Sequence, residues 1–300
     1  MPPVPPPRVD GHTTTTGVPL YWCRYGDPAS PALHVLHGGP GASHDYLLPQ
    51  LLLLAELGGG FELVFHDQRG GGRSRIDDPA PITVDVHVAD CAAVRRELGI
   101  EAAPIAGYSW GALLALHVAV AARARRHGLA VPPWLALVSP APFMPDDRAR
   151  FDAEFQRRQA SPAIAALRAE LAASGLRERD PDAHRQRAFE LSVAGYFADA
   201  ARAHDLTPFR VQGKVQASTW ASVDGAALLA ALPALDVPAC VVHGDADPIP
   251  LDSARRTAAA IGADFTAIPG CGHVPYVEAP DALRAALAAF IDPRSARLPA

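Results

Sequence analysis

Lysine is nearly absent: Lys214 is the only one in 300 residues, and arginine carries the rest of the positive charge. No excess of positive charge exists either. Twenty-seven basic against 32 acidic residues leave a formal charge of −5, which argues against a nucleic-acid surface or a polybasic membrane patch. Cysteine is sparse. Cys23, Cys91, Cys240 and Cys271 lie far apart, with no CxxC pair. Cys271 and His273 are two positions apart, but nothing nearby completes a metal set. The cysteines therefore read as buried, reduced, small apolar residues, suited to the cytoplasm. Long apolar runs are missing as well: residues 51–54 and the Ala-rich stretch 112–122 are too short to span a bilayer. The N-terminus has no positive region followed by an apolar stretch, so it does not read as a secretory signal. Its five prolines in residues 2–7 predict an extended, mobile leader over residues 1–17.

What is present suits a folded domain that acts on a small molecule or short peptide, with neither nucleic acid nor membrane as partner. The apolar share is 49% and the charged share 20%, enough for a sizeable core. Mean hydropathy is +0.06, which fits neither a disordered nor a membrane-embedded chain. Short apolar runs alternate with helical patterns. Residues 33–37, 62–67, 103–107, 135–139 and 239–244 read as strands, with 20–25 and 264–268 as weaker ones. Residues 85–98, 110–127, 251–261 and 279–291 carry helical spacing. This alternation predicts an α/β fold with a mostly parallel sheet flanked by helices. Residues 141–224 break the rhythm: they are helical and rich in Arg and acidic residues. They read as an inserted helical cap over the C-terminal edge of the sheet, where ligands bind. The core is then 18–140 with 225–300.

Four motifs sit at strand ends. Gly107-Tyr108-Ser109-Trp110-Gly111 is a G-x-S-x-G pattern between a strand and a helix, the context of a nucleophile elbow. Ser109 could otherwise simply cap the helix it precedes. His37-Gly38-Gly39-Pro40-Gly41 closes an earlier strand. Its glycines let backbone N–H groups face a reacting carbonyl, and Gly39 with Trp110 are the expected oxyanion donors. His243-Gly244-Asp245-Ala246-Asp247-Pro248 follows another strand; Asp247 is the expected triad acid, with Asp245 as a turn-former or its competitor. Gly270-Cys271-Gly272-His273 places a histidine on a late loop. The order Ser109, Asp247, His273 suits a hydrolase triad, while His37, His66 and His243 read as structural. No metal or organic cofactor is called for.

In order and wording these motifs resemble the α/β-hydrolase superfamily. With DQRGGGRS at 67–74 added, HGGPG at 37–41 and GYSWG at 107–111 are similar to the proline iminopeptidase family. That resemblance implies a serine hydrolase acting through an acyl-enzyme, releasing an N-terminal residue from small peptides or amides. Relatives with HGGPG include esterases and lactonases, so an esterase, lactonase or thioesterase is the alternative; a non-enzymatic ligand-binding hydrolase fold is the remote one. The DQRG loop has a structural role in the family. Family members carry tryptophans followed by a Glu that helps hold the substrate's free amine; here the comparable stretch is Arg187-Ala188-Phe189-Glu190-Leu191, without the tryptophans. Glu190 and Phe189 are its candidate substrate-binding residues, with Gly38 and Phe143 beside the catalytic loops. Glu190 could instead pair with Arg187 on its own helix. Glu278 reads as structural.

Overall fold

The computed structural model describes residues 3–77 and 80–295. Five strands form the parallel body: β3 (Ala32–Leu36), β4 (Glu62–His66), β5 (Ile105–Tyr108), β6 (Leu135–Val138) and β7 (Ala239–Gly244). β8 (Asp264–Ile268) extends that body at one edge, and β1 (Val9–His12) and β2 (Tyr21–Tyr25) add an antiparallel pair at the other. The order is β1-β2-β4-β3-β5-β6-β7-β8. The central strands are buried along their whole length, which is why they read as continuous apolar runs and not as alternation.

Alternate residues feed two cores. Ile105, Leu135, Leu137 and Val241 face α1 (Val84–Glu97) and α2 (Trp110–Arg123). Ala106, Ala136, Cys240 and Val242 face the opposite layer, built from the 3₁₀ segment Gln50–Gly59 and the C-terminal helix. All four cysteines are buried and free.

Between β6 and β7 the chain is helical, with no strand: α3 (Pro145–Gln159), α4 (Pro162–Ala173), α5 (Leu176–Arg179), α6 (Pro181–Val193), α7 (Gly213–Ala221) and α8 (Gly225–Ala231). Their starts are written in the sequence. Pro145, Pro162 and Pro181 occupy first-turn positions, where a missing N–H costs nothing. Ser161, Asp180 and Asp224 accept N–H bonds from residues three further on. The fold closes with α9 (Leu251–Ile261), α10 (Pro275–Glu278) and α11 (Pro280–Ser295). Among the described residues no helix is long and apolar enough to cross a membrane.

The leader differs from its expectation. Val9–His12 is an edge strand on β2, and Gly11 lies against the Trp22 ring, where a Cβ would stand 3.0 Å from Cζ2. The Thr14 and Thr15 amides bond the Glu97 carboxylate at 2.7 and 3.0 Å. The sheet thus begins before residue 18. The ends of two expected segments, residues 1–2 of the leader and 296–300 of the core, lie outside the described residues.

The topology fixes where a ligand can bind. From β4 the chain crosses back over β3 to reach β5, so the winding direction reverses between the neighbouring strands β3 and β5. Loops leaving their C-terminal ends separate there and open a crevice. His37–Gly41 and Ser109 are those loops.

Candidate active site

Ser109 follows β5 directly and starts α2 with φ +54° and ψ −118°, a strained conformation for a residue with a side chain. The neighbouring glycines let the turn close. A Cβ on Gly107 would lie 2.4 Å from the Gly111 carbonyl oxygen, and one on Gly111 would lie 2.0 Å from the Leu36 oxygen. Any larger residue would push α2 off β3 and β5. The hydroxyl makes no capping bond to α2; Ser109 Oγ stands 3.0 Å from His273 Nε2. The capping alternative is thereby excluded.

His273 Nδ1 lies 2.8 Å from Asp247 Oδ2. With that N–H donated to the carboxylate, Nε2 is left as an acceptor facing Ser109. The other Asp247 oxygen accepts the Ile249 N–H at 2.7 Å. Burial pushes the Asp247 carboxyl up, but His273 and His243 beside it, with these hydrogen bonds, outweigh burial and hold it below its ordinary value. Asp245 points elsewhere: it accepts the Gly270 N–H at 2.7 Å and ties the two loops together. Of the two candidate acids, Asp247 meets the histidine. The His273 loop is pinned on both sides, its N–H on the Tyr196 oxygen at 2.8 Å and its carbonyl on the Tyr108 hydroxyl at 3.0 Å. Glu278 accepts the Ala198 N–H at 2.8 Å, so it braces the Tyr196 segment.

The expected oxyanion groups flank Ser109. A Cβ on Gly38 would lie 2.8 Å from Ser109 Cβ, so this loop approaches the serine closely because it lacks a side chain. The Tyr46 hydroxyl crowds the same glycine, 2.8 Å from where its Cβ would stand. Gly39 and Trp110 both line the cavity with Ser109, and among the described residues neither amide N–H has a protein acceptor. Gln68 locks the two donors' segments together. Its Nε2 donates to the His37 oxygen at 2.8 Å, and its Oε1 accepts the Trp110 indole N–H at 2.7 Å. The remaining DQRG residues are also structural: Asp67 accepts from His44 and Arg73, and Arg69 forks onto Asp90. His37, His66 and His243 hold internal hydrogen bonds.

The cavity over Ser109 and His273 measures about 450 Å³. A larger cleft of about 840 Å³ opens between residues 70–77 and 80–82 on one side and the start of α7 on the other, but holds no triad residue. The cavity wall departs from expectation. Gly38, Glu190, Phe189 and Phe143 do not line it. Glu190 is buried on α6, held by Arg187 at 2.8 Å and Gln186 at 3.1 Å. Phe189 packs edge-on against Phe209, and Phe143 sits in the core between α2 and α8. The wall is instead α3 and α7: Arg148, Phe151, Asp152 and Phe155 from the first, Trp220 from the second, with Tyr196 between them and His273. Those α3 positions are spaced i, i+3, i+4, i+7, one helix face. That spacing was available in the sequence, though it says only that a face exists, not what it faces.

The model of the alpha/beta hydrolase family matches residues 35–286. A proline iminopeptidase from Thermoplasma volcanium is 37% identical over 132 residues; the match spans 43% of this chain and 43% of that protein, less than half of its length. Among solved structures, the proline iminopeptidase of Mycobacterium smegmatis superposes with a TM-score of 0.65 at 24% identity, covering 96% of this chain and 99% of that one. The enol-lactonase from Burkholderia xenovorans LB400 gives 0.62 at 21%, covering 94% and 99%.

Proposed function

The chain belongs to the alpha/beta hydrolase family, and from that premise we propose that it is a serine hydrolase that releases an N-terminal residue from small peptides or amides through an acyl-enzyme. One observation carries the reading: a continuous hydrogen-bonded chain from Ser109 Oγ through His273 to Asp247 opens on the cavity. His273 takes the serine proton as Oγ attacks the carbonyl, and Asp247 keeps the ring in the right tautomer and stabilises the imidazolium. The Gly39 and Trp110 N–H groups receive the oxyanion; loss of one such donor costs about 3 kcal/mol. His273 then gives its proton to the leaving amine, and water attacks the ester with His273 again as base.

The peptidase part of the reading is supported by the 37% identity to a proline iminopeptidase over 132 residues. An aminopeptidase must offer a carboxylate to the substrate ammonium. Glu190 is occupied by Arg187, whereas Asp152 lines the cavity and takes that role in this reading. The second reading, a carboxylic ester hydrolase, has support of its own: Phe151, Phe155, Tyr196 and Trp220 offer the wall an aromatic side, and Asp152 is exposed, so a neutral acyl group also finds a place. The discriminating assay compares prolyl-anilide, N-acetylprolyl-anilide and a short acyl ester, with Ser109→Ala as control. The peptidase reading expects turnover of the free-amine anilide alone among the two anilides, and selective weakening of it by Asp152→Asn. Equal cleavage of both anilides, or of the ester only, contradicts it.

A further inference from the structure

Most arginines in the helical insert are paired, and Arg177 and Arg210, which have no partner among the described residues, are exposed. Arg150 pairs with Asp147 and Asp252, Arg157 and Arg158 with Glu154, and Arg187 with Glu190. Arg148 is different. It is half-buried in the catalytic cavity, and among the described residues its guanidinium has neither a carboxylate within ion-pair distance nor a hydrogen-bond acceptor. It lies over the Trp220 ring, with Cζ 3.6 Å from the centroid. Trp220 in turn meets the Trp110 ring edge-on at 5.2 Å, and Trp110 is the residue after Ser109. A stacked guanidinium is held at its face while its N–H edge stays available, in a fork that matches a carboxylate. Burial draws the Arg148 group below its ordinary value, partly offset by Asp152 one turn away. A desolvated cation without a partner is unfavourable, and this one borders the space a substrate would fill.

We propose that Arg148 is a substrate-anchoring residue: the site takes small esters or amides that carry a free carboxylate, which docks on the Arg148 fork while the scissile carbonyl sits at Ser109. The inference rests on the serine-hydrolase reading and specifies its substrate class. A short peptide with a free C-terminus meets the requirement, and so does a dicarboxylate half-ester.

The test reads protection of Ser109 from a fluorophosphonate probe, so it does not depend on finding a turned-over substrate. Adipic acid monoamide is compared with adipamide, and prolyl-alanine with prolyl-alaninamide. In the wild type, the carboxylate member of at least one pair protects at a concentration about 10-fold to 100-fold lower than its neutral partner, the range of one charge-assisted contact. Arg148→Met, which keeps packing on Trp220, removes that difference and leaves the neutral member's protection unchanged; Arg148→Lys retains part of it. No carboxylate preference in the wild type, or equal loss for both members in Arg148→Met, overturns the assignment and makes Arg148 a wall residue. Those results leave the hydrolase reading intact, because Ser109 is still labelled. Absence of labelling at Ser109 overturns both.

Discussion

Two regions of this molecule hold a nucleophile–histidine–carboxylate chain and differ in their surroundings. At the sheet edge, Ser109 Oγ, His273 and Asp247 are linked at 3.0 and 2.8 Å. Some way into the core, Cys23 Sγ, His44 and Asp67 are linked at 3.2 and 2.7 Å. Judged by hydrogen bonds alone, both are nucleophile–histidine–acid triads. Yet Cys23 lies inside β2, paired with Asp10 on one side and Phe65 on the other, and its exposure is zero. Burial, helped by Asp67, pushes its thiol far above the ordinary range, which leaves it inert. Ser109 sits at a strained strand end, over a cavity, between two amides without acceptors. The triad distances are thus shared by a candidate site and by a piece of scaffold; access, backbone strain and two amide N–H groups without acceptors separate them. The inner cluster still serves the outer one, because Asp67 and His44 anchor the loop that carries Gly38 and Gly39.

The widest separation is expected from removing the nucleophiles. Ser109→Ala should lower kcat by about 10⁵-fold or more, whereas Cys23→Ala should leave kcat/KM within about threefold, the effect of a mutation outside the reacting groups. Steady-state kinetics on whichever ester or anilide is turned over measures both. A large loss in Cys23→Ala would erase the distinction.

The acids should divide in the same way. Asp247→Asn should cost about 10⁴-fold in kcat by disturbing the His273 tautomer, while thermal stability changes little by comparison. Asp245→Asn should retain most of the activity, since Asp245 only holds Gly270. The reverse ranking would move the triad acid by two residues.

Asp67→Asn should act on stability instead. Burial pushes the Asp67 carboxyl up, but His44 and the Arg73 N–H outweigh it and bring the group below its ordinary value. A depressed folded-state value means stability that is present above the unfolded-state value and lost as pH falls. Wild-type Tm should therefore drop as pH falls from about 5 to about 2 more steeply than that of Asp67→Asn. At neutral pH the variant should be less stable by about 2 kcal/mol or more. Parallel acid profiles would mean that Asp67 is not the ionised anchor.

The smallest effect concerns Glu190. Its pairing with Arg187 and Gln186 predicts that Glu190→Gln lowers stability by about 1 kcal/mol and leaves the free-amine preference unaltered. A selective loss on free-amine substrates would return the amine site to α6.

How much of this was legible in the sequence depends on how local each feature is. Gly107, Ser109 and Gly111 are bound together by one turn, and the steric demands there admit few other residues; the site's axis could be read from them. Asp247 and His273 sit at ends of strands that the apolar runs had already marked, so chain order was enough to join them. The cavity wall was not legible. The face of Arg148, Phe151, Asp152 and Phe155 is visible as helical spacing, but where α3 lies against the sheet is decided by tertiary packing. Glu190 illustrates the cost of arguing by position in a variable insert: its carboxylate turns toward its own helix. The edge strand Val9–His12 escaped because it has one neighbour, is mostly exposed and contains Gly11, so it shows no alternation. The inner triad escaped because Cys23, His44 and Asp67 come from separate segments joined by no motif.

The contrast between the two triads can be tested in one measurement, mass spectrometry of the folded protein after reaction with a fluorophosphonate. The account predicts a single adduct, located on Ser109, absent from Ser109→Ala and unchanged in Cys23→Ala. An adduct that persists in Ser109→Ala, or an unmodified Ser109 in a folded wild-type protein, would contradict it.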